Sequence, residues 1–119
     1  MGLGQAISAG FANYFNFKTR ASRSEYWYFI LFLFIVSIAL TIVDLAMNGP
    51  GGKFLLNTIF SLATFIPSLS VLVRRLHDIG RSGWYVLLVF IPLVGIIILI
   101  YWACQPSAPQ PNAYGPAPA

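Results

Sequence analysis

The amino-acid sequence predicts an all-α, polytopic membrane protein, and the prediction rests on three long apolar stretches and on composition. Each stretch is close in length to the ~20 apolar residues that an α-helix needs to cross the hydrocarbon core of a bilayer. Of the 119 residues, 58% are hydrophobic and 8% are charged. Because soluble domains carry about 25% charged residues, this composition argues against a water-soluble fold. The predicted membrane-spanning helices cover about residues 26–47, 54–73 and 84–104.

The chain divides into three parts on this basis. Residues 1–25 form a predicted N-terminal segment, in which Leu3, Ile7 and Phe11 recur at helical spacing and indicate a short amphipathic helix. Residues 26–104 form the predicted three-span bundle. Residues 105–119 contain five prolines and no charged residue, which predicts a disordered tail.

Local signals mark where the predicted spans begin and end. Ser22 and Glu25 match the S-x-x-E capping box, which satisfies free amides at the start of a helix. The Gly- and Pro-rich residues 49–52 predict the turn between the first two spans. Pro92 and Gly95 interrupt the third stretch, so its continuity as one helix stays open.

The positive charges predict the orientation in the membrane. Six of the seven basic residues fall before the first span or between the second and third, where an excess of Lys and Arg indicates the cytoplasmic side. The N-terminus and the second loop are therefore predicted to be cytoplasmic, and three spans would place the C-terminus outside. The six are Lys18, Arg20, Arg23, Arg74, Arg75 and Arg81, and the seventh is Lys53.

Polar residues form one stripe on each of the first two spans. Because polar side chains in lipid turn toward protein, the stripes predict where helices pack against each other or against a neighbouring subunit. Alternatively, they would line a pathway for a solute in an oligomer. The stripes consist of Ser37, Thr41 and Asp44 on the first span and Asn57, Ser61, Thr64 and Ser68 on the second.

Two residues within the spans carry specific expectations. Asp44 is the only acidic residue within a predicted span, and its position near the outer end favours an ion pair with Lys53 over a proton relay. Pro67 should kink the second span and free the carbonyl four residues earlier, which a neighbouring hydroxyl or a water must satisfy.

The densest polar chemistry lies after the second span. There Asp78 is within helical reach of Arg74 and of Arg81. One interpretation is a topology signal with an intramolecular Arg–Asp clamp. A second is a site for an anionic lipid or a small phosphorylated ligand, since guanidinium groups bind phosphate bidentately. A third is catalysis by His77. The candidate residues are Arg74, Arg75, His77, Asp78 and Arg81.

Neither a cofactor nor a metal is predicted. One His and one Cys are far apart without an acidic cluster, so the sequence offers no metal site. It also lacks a Gly-rich phosphate loop and any signal for reading nucleic-acid bases. No catalytic residue is therefore assigned, and the basic residues are expected to contact lipid head groups instead of nucleic acid.

Several segments of the chain resemble a known protein family. Residues 20–27 (RASRSEYW), Pro67, residues 74–84 (RRLHDIGRSGW), the Pro92–Gly95 pair and residues 112–115 (NAYG) are similar to the DUF805 family. Thr19 departs from the glycine that the family often has there. The resemblance implies a small bacterial inner-membrane protein, and it implies no reaction because the family's function is unassigned.

The resembling residues concentrate at the predicted cytoplasmic side and suggest a structural network. Glu25 is expected to meet an arginine of the 74–81 segment, and Trp27 and Trp84 are expected to pack at one depth. The network would fix the angles at which the helices enter the membrane. Its predicted members are Arg20, Arg23, Glu25, Trp27 and Trp84.

Three functions remain open at the level of sequence. The favoured one is a non-enzymatic membrane module that binds anionic lipid or a partner membrane protein through the Arg/His/Asp residues. The alternative is an oligomeric channel or small-solute transporter, which would need several copies because three spans enclose little volume. The third is an enzyme acting on lipid-linked phosphates, which lacks a nucleophile at useful spacing.

Overall fold

The computed structural model describes residues 2–49 and 51–116, and its regular elements are helices, as predicted. Met1, Pro50 of the predicted turn and residues 117–119 of the tail lie outside the described residues. Helices α1, α2, α3 and α4 and one 3-10 helix follow in chain order. They cover Leu3–Ala12 (α1), Arg23–Asn48 (α2), Leu55–Asp78 (α3), Gly83–Phe90 (3-10) and Val94–Ala103 (α4).

The first two predicted spans fall within α2 and α3. Each of these helices is long and apolar enough to cross a membrane. Helix α2 begins at the predicted cap, where the hydroxyl of Ser22 accepts a hydrogen bond from the Glu25 amide at 3.2 Å. At 26 residues it is ~39 Å long, which exceeds the ~30 Å thickness of the hydrocarbon core.

Helix α3 extends five residues past its predicted end at Val73 and stops at Asp78. Gly80, with φ of 79°, adopts the left-handed conformation that ends many helices. The Gly80 amide donates to the carbonyl of His77 at 3.0 Å and the Arg81 amide donates to that of Leu76 at 2.9 Å. These two bonds are the Schellman motif, which ends the helix at this glycine.

The third predicted span does not form one continuous helix, and the interruption that Pro92 and Gly95 suggested is present. Residues 84–104 are divided between the 3-10 helix and α4. Pro92 has no amide hydrogen to continue the helical pattern, and Leu93 has a positive φ of 65°, which reverses the chain. Each half is ~15 Å long, about half of the hydrocarbon thickness.

The two halves form a hairpin that returns to its starting end. Tyr85, near its beginning, contacts Trp102, near its end, with ring centroids 5.2 Å apart. The carbonyl of Ala103 then accepts a hydrogen bond from the Trp27 indole, close to the start of α2. The hairpin therefore begins and ends at the same end of the α2–α3 pair.

The N-terminal helix α1 forms as predicted and packs on α2. Ala6 and Gly10 are buried, and a side-chain carbon on Gly10 would lie 2.2 Å from the ring of Phe29. Phe11 contacts the same ring edge-to-face at 5.3 Å. A glycine at position 10 thus permits the close approach of the two helices.

The polar stripes of α2 and α3 meet each other in part. The Ser37 hydroxyl donates to the side-chain oxygen of Asn57 at 2.8 Å. The Thr41 hydroxyl instead donates to the carbonyl of Ser37 within its own helix. Thr64 and Ser68 bond the carbonyls four residues earlier, and Ser61 is exposed.

The predicted ion pair between Asp44 and Lys53 is wrong. Asp44 is buried, and its carboxylate accepts the amides of Leu56 at 3.1 Å and Asn57 at 3.0 Å. These are free amides of the first turn of α3, where the helix dipole also favours a negative charge. Asp44 is therefore an N-terminal cap of α3 that α2 supplies, while Lys53 is exposed.

Pro67 lies inside α3, which continues through it. The carbonyl that a proline at 67 leaves without its helical donor belongs to Ala63. The Tyr14 hydroxyl, from the segment after α1, donates to this carbonyl. The predicted need for a neighbouring hydroxyl is thus met from another part of the chain.

The prediction of a disordered tail is wrong for residues 105–116. This segment packs against the end of the bundle where α2 begins and α3 ends. The Ala108 amide donates to the carbonyl of Asp78 at 3.1 Å, and Arg20 donates to the carbonyl of Gln110 at 3.0 Å. The tail lies at this end of the bundle because the hairpin returns to it.

Candidate functional site

A buried cluster of charged side chains occupies the end where α2 begins and α3 ends, and we call it the arginine cluster. None of its members is more than 7% exposed. Burial of a charge in a protein is costly unless it is paired and hydrogen-bonded. Its members are Arg20, Arg74, Arg75, Glu25 and Asp78.

Asp78 joins two of the arginines. One carboxylate oxygen accepts the Arg20 Nε hydrogen at 3.0 Å, and the other pairs with the Arg75 guanidinium. The sequence-based expectation that Asp78 would pair with Arg74 or Arg81 is wrong. Arg74 contacts Glu25 instead, and Arg81 lies beyond the helix-ending Gly80, where the chain has left the helical path.

Arg20 uses its guanidinium to hold the tail. Besides the bond to the Asp78 carboxylate, it donates to the Asp78 carbonyl at 3.1 Å. It also donates to the carbonyls of Ala108 at 2.6 Å, Gln110 at 3.0 Å and Gly115 at 3.2 Å. Since a guanidinium has five N–H donors, these contacts occupy its full donor capacity.

Arg75 connects three segments of main chain. It donates to the carbonyls of Ala21 and Ala103, each at 3.1 Å, and to that of Gln105. Ala21 precedes α2, whereas Ala103 and Gln105 lie at the end of the hairpin. Arg75 therefore fixes the start of α2 and the return of the hairpin to the end of α3.

Arg74 forms a buried ion pair with Glu25, which lies in the first turn of α2. Its Nε also lies 3.4 Å from the hydroxyl of Ser70. Among the described residues, its Nη2 is the buried side-chain nitrogen that has no hydrogen-bond partner. The Glu25–Arg74 contact is the arrangement that the sequence suggested, and it ties α2 to α3.

His77 is held on three sides. Its Nδ1 lies 3.0 Å from the carbonyl of Thr19, and its ring stacks on Tyr114 with centroids 3.7 Å apart and planes at 1°. Its own carbonyl accepts the side-chain amide of Asn112 at 2.9 Å. Because the Thr19 carbonyl only accepts, Nδ1 carries the hydrogen, and in a neutral ring Nε2 is then an acceptor.

The remaining predicted residues lie at the edge of the cluster. Arg81 is exposed, and its guanidinium carbon lies 4.4 Å from the ring centre of Trp102. Arg23 is also exposed and donates to the carbonyl of Cys104 at 3.3 Å. Trp84 is 79% exposed and the Trp27 indole bonds the Ala103 carbonyl, while the common depth of the two tryptophans stays a prediction.

Sequence reasoning missed the contribution of the tail. Composition predicted disorder there, yet main-chain carbonyls of residues 105–115 accept from Arg20 and Arg75. Carbonyl acceptors leave no trace in side-chain patterns. The available signal was the short run at residues 112–115, which includes both Asn112 and Tyr114.

Among the described residues, the charged side chains that the folded chain exposes are all basic. The chain has three acidic residues, and Glu25, Asp44 and Asp78 are all buried and bonded internally. Of the seven basic residues, Arg20, Arg74 and Arg75 are buried. The exposed ones are Lys18, Arg23 and Arg81 around the arginine cluster, and Lys53 at the opposite end.

A groove adjoins the arginine cluster beside His77. Its volume is about 670 Å³, within the range of ~300–1,000 Å³ that ligand sites occupy. Most of its wall is apolar, and Lys18, Ser82 and His77 add polar groups. The lining of the groove includes Phe17, Lys18, Leu69, Val73, His77 and Trp84.

No group of His, Cys, Asp and Glu suited to a metal ion occurs within residues 2–49 and 51–116.

Two membrane-length apolar helices joined at one end by a buried, internally ion-paired cluster define a small helical membrane protein. The chain belongs to the DUF805 family, described as proteins of unknown function, whose model matches residues 14–116. This match agrees with the resemblance seen in the sequence.

Two relatives of the chain are inner membrane proteins of Escherichia coli. The inner membrane protein YhaH of Escherichia coli strain K12 is 43% identical over 108 residues, which cover 89% of each chain. The inner membrane protein YhaI of the same strain is 39% identical over 106 residues, which cover 89% of this chain and 88% of the relative. No solved structure matches the chain.

Proposed function

We propose that this protein is a non-enzymatic module of the bacterial inner membrane that binds anionic lipid around the arginine cluster. The distribution of charge in the folded chain carries the proposal. Every acidic side chain is buried and bonded within the chain, while Lys18, Arg23 and Arg81 are exposed at one end. Each such charge near an anionic membrane surface contributes about 1 kcal/mol of attraction.

The arginine cluster serves as a scaffold in this proposal and does not itself contact the lipid. Arg20 and Arg75 donate to carbonyls and to Asp78, and Arg74 pairs with Glu25. Their guanidinium groups therefore have internal acceptors already. By joining α2, α3, the hairpin and the tail, they hold the exposed cations at one level.

The proposed orientation follows from the same charges. Helices α2 and α3 cross the membrane, and the hairpin of residues 83–103 enters from the cytoplasmic side and returns to it. The excess of Lys and Arg at that end supports this orientation. The N-terminal segment, the loop at residues 79–82 and the tail then share the cytoplasmic face, and the loop with Lys53 is external.

The two other functions receive less support from the contacts. A channel would need free polar groups along α2 and α3, yet Ser37, Asn57 and Asp44 bond one another or helix amides within one chain. An enzyme acting on lipid-linked phosphates would need an available acid or base. Glu25 and Asp78 are paired with arginines, and the Nδ1 of His77 bonds the Thr19 carbonyl and not a carboxylate that would make the ring a stronger base.

Native mass spectrometry of protein extracted in mild detergent with phosphatidylglycerol tests the proposal. The Lys18→Gln/Arg81→Gln variant should bind this lipid more weakly than wild type by roughly 30-fold, because two charges of ~1 kcal/mol each are removed. Lys53→Gln is the matched control, since it removes a cation at the opposite end. Equal retention by all three proteins would contradict the proposal, and loss of a co-purified protein instead would indicate a partner protein.

A further inference from the structure

The groove beside His77 has the form of a site for a molecule with a polar head and an apolar tail. Leu69 and His77 both line it, and their separation along α3 corresponds to ~12 Å of helix. Leu69 lies toward the middle of the apolar helix, whereas His77 lies at its polar end beside the arginine cluster. A ligand along this length would therefore meet both environments.

The polar end of the groove favours a negatively charged head group. Lys18 lines the groove and is exposed, so its ammonium group is available to a phosphate. The carboxylate of Asp78, the nearest acidic residue along the chain to His77, is already bound by Arg20 and Arg75. Charge at this end is thus complementary to a single phosphodiester.

The ring of His77 adds a preference for a hydroxyl group. Nδ1 donates to Thr19, so in the neutral ring Nε2 needs a donor. A side-chain carbon built on Gly83, which also lines the groove, would lie 3.3 Å from Nε2, and this places the atom at the wall of the groove. A hydroxyl of the ligand would supply the missing hydrogen.

We infer that this groove binds one membrane phospholipid with an anionic, hydroxyl-bearing head group, of which phosphatidylglycerol is the simplest form. The inference rests on the proposed function and makes it specific. Lys18 contacts the phosphate, the Nε2 of His77 accepts a head-group hydroxyl, and one acyl chain lies along Leu69 and Val73. Tyr114 lines the groove and stacks on His77, so the tail forms one of its walls.

The test compares lipid retention by wild type and three variants that all keep the surface cations. Leu69→Trp fills the apolar half of the groove, whereas Leu62→Trp adds the same bulk on the same helix at a position that is 71% exposed. His77→Asn keeps a donor near the Nδ1 position and removes Nε2. Each protein is mixed in detergent with phosphatidylglycerol, phosphatidic acid or phosphatidylethanolamine and analysed by native mass spectrometry, after its thermal unfolding has been measured.

Wild type and Leu62→Trp are expected to retain one phosphatidylglycerol per chain, and Leu69→Trp is expected to retain none. His77→Asn should bind phosphatidylglycerol and phosphatidic acid equally, because the acceptor for the head-group hydroxyl is gone. Retention by a folded Leu69→Trp would overturn the groove as the site. So would a wild-type dimer that Leu69→Trp dissociates, since a second copy would then occupy the groove.

The outcomes separate this inference from the proposed function. If the Lys18→Gln/Arg81→Gln variant loses phosphatidylglycerol while Leu69→Trp keeps it, surface binding stands and the groove does not. If both variants keep the lipid, both ideas fail. If the Leu69→Trp protein does not fold, Val86→Trp replaces it, because Val86 lines the same groove on the 3-10 helix.

Discussion

Arg75 illustrates at the scale of one residue how this protein uses charge. It is fully buried, and most of its donors end on main-chain carbonyls of segments that are distant in sequence. Lysine has the same charge but lacks the planar fork of donors. The guanidinium therefore matters here for the number and direction of its hydrogen bonds.

Replacement of Arg75 by Lys should lower stability even though the charge is kept. An ammonium group cannot reach Ala21, Ala103 and Gln105 together, so buried carbonyls lose their donors at ~1–3 kcal/mol each. Thermal unfolding of the purified protein in detergent measures the effect. Arg81→Lys is the control, because Arg81 is exposed; equal losses in the two variants would contradict this account.

The buried Glu25–Arg74 pair makes a second prediction at this scale. Glu25→Leu leaves the Arg74 charge buried without a partner and should destabilise the protein by ~3–5 kcal/mol. The Glu25→Leu/Arg74→Met double variant should recover most of the loss, because neither charge is then left alone. A double-mutant cycle of unfolding free energies checks this coupling, and additive losses would show that the two side chains act independently.

At the scale of the helix, α3 depends on groups that other elements supply. Its N-terminus is capped by Asp44 of α2, and its proline is accommodated by Tyr14 from the segment after α1. Both contacts satisfy main-chain groups that α3 cannot satisfy itself. In an apolar environment such groups are costly to leave free.

Removal of the α3 cap should cost more than removal of the nearby lysine. Asp44→Ala is expected to destabilise the protein by ~0.5–2 kcal/mol, the usual range for loss of an N-terminal cap. Lys53→Ala should have almost no effect, because Asp44 bonds helix amides and not Lys53. Equal losses in thermal unfolding would instead favour the ion pair that the sequence suggested.

Tyr14 and Pro67 should be energetically coupled. Tyr14→Phe leaves the Ala63 carbonyl without a donor and should cost ~1–3 kcal/mol. In a Pro67→Ala background the restored amide of residue 67 bonds that carbonyl, so Tyr14→Phe should then cost little. A cycle of unfolding measurements on the four proteins tests the coupling, and an unchanged cost in both backgrounds would refute it.

At the scale of the whole molecule, the hairpin decides on which side the tail lies. Arg20 bonds both Gln110 and Gly115, so the N-terminal segment and the tail share one end of the bundle. A third complete crossing would have separated them. The side on which the tail lies therefore shows whether residues 83–103 form a hairpin or a complete crossing.

Single cysteines should report this shared side. In a Cys104→Ser background, Lys18→Cys and Gln110→Cys should react with a membrane-impermeant maleimide from the same face, and Lys53→Cys from the opposite face. Intact cells and inverted membrane vesicles provide the two faces. If Gln110→Cys reacts from the same face as Lys53→Cys, the chain has three complete spans and the hairpin is wrong.

The sequence predicted the regular elements better than their contacts. Apolar length indicated α2 and α3, and the Ser22 cap marked the start of α2. At residues 84–104 apolar length suggested a full span and Pro92 and Gly95 an interruption, but neither signal predicted that the chain reverses at Leu93. Helical spacing also suggested the wrong partners for Asp78, because Arg81 lies past the end of the helix.

Composition and local spacing were sufficient to predict an all-helical membrane protein with its positive charge concentrated at one end. Those properties depend on residue type and on neighbours three or four residues away. The return of the third stretch and the contacts of the tail with Arg20 and Arg75 became evident from the folded chain alone. Main-chain carbonyls are identical at every position, so the choice of which ones meet a buried guanidinium depends on how distant segments pack.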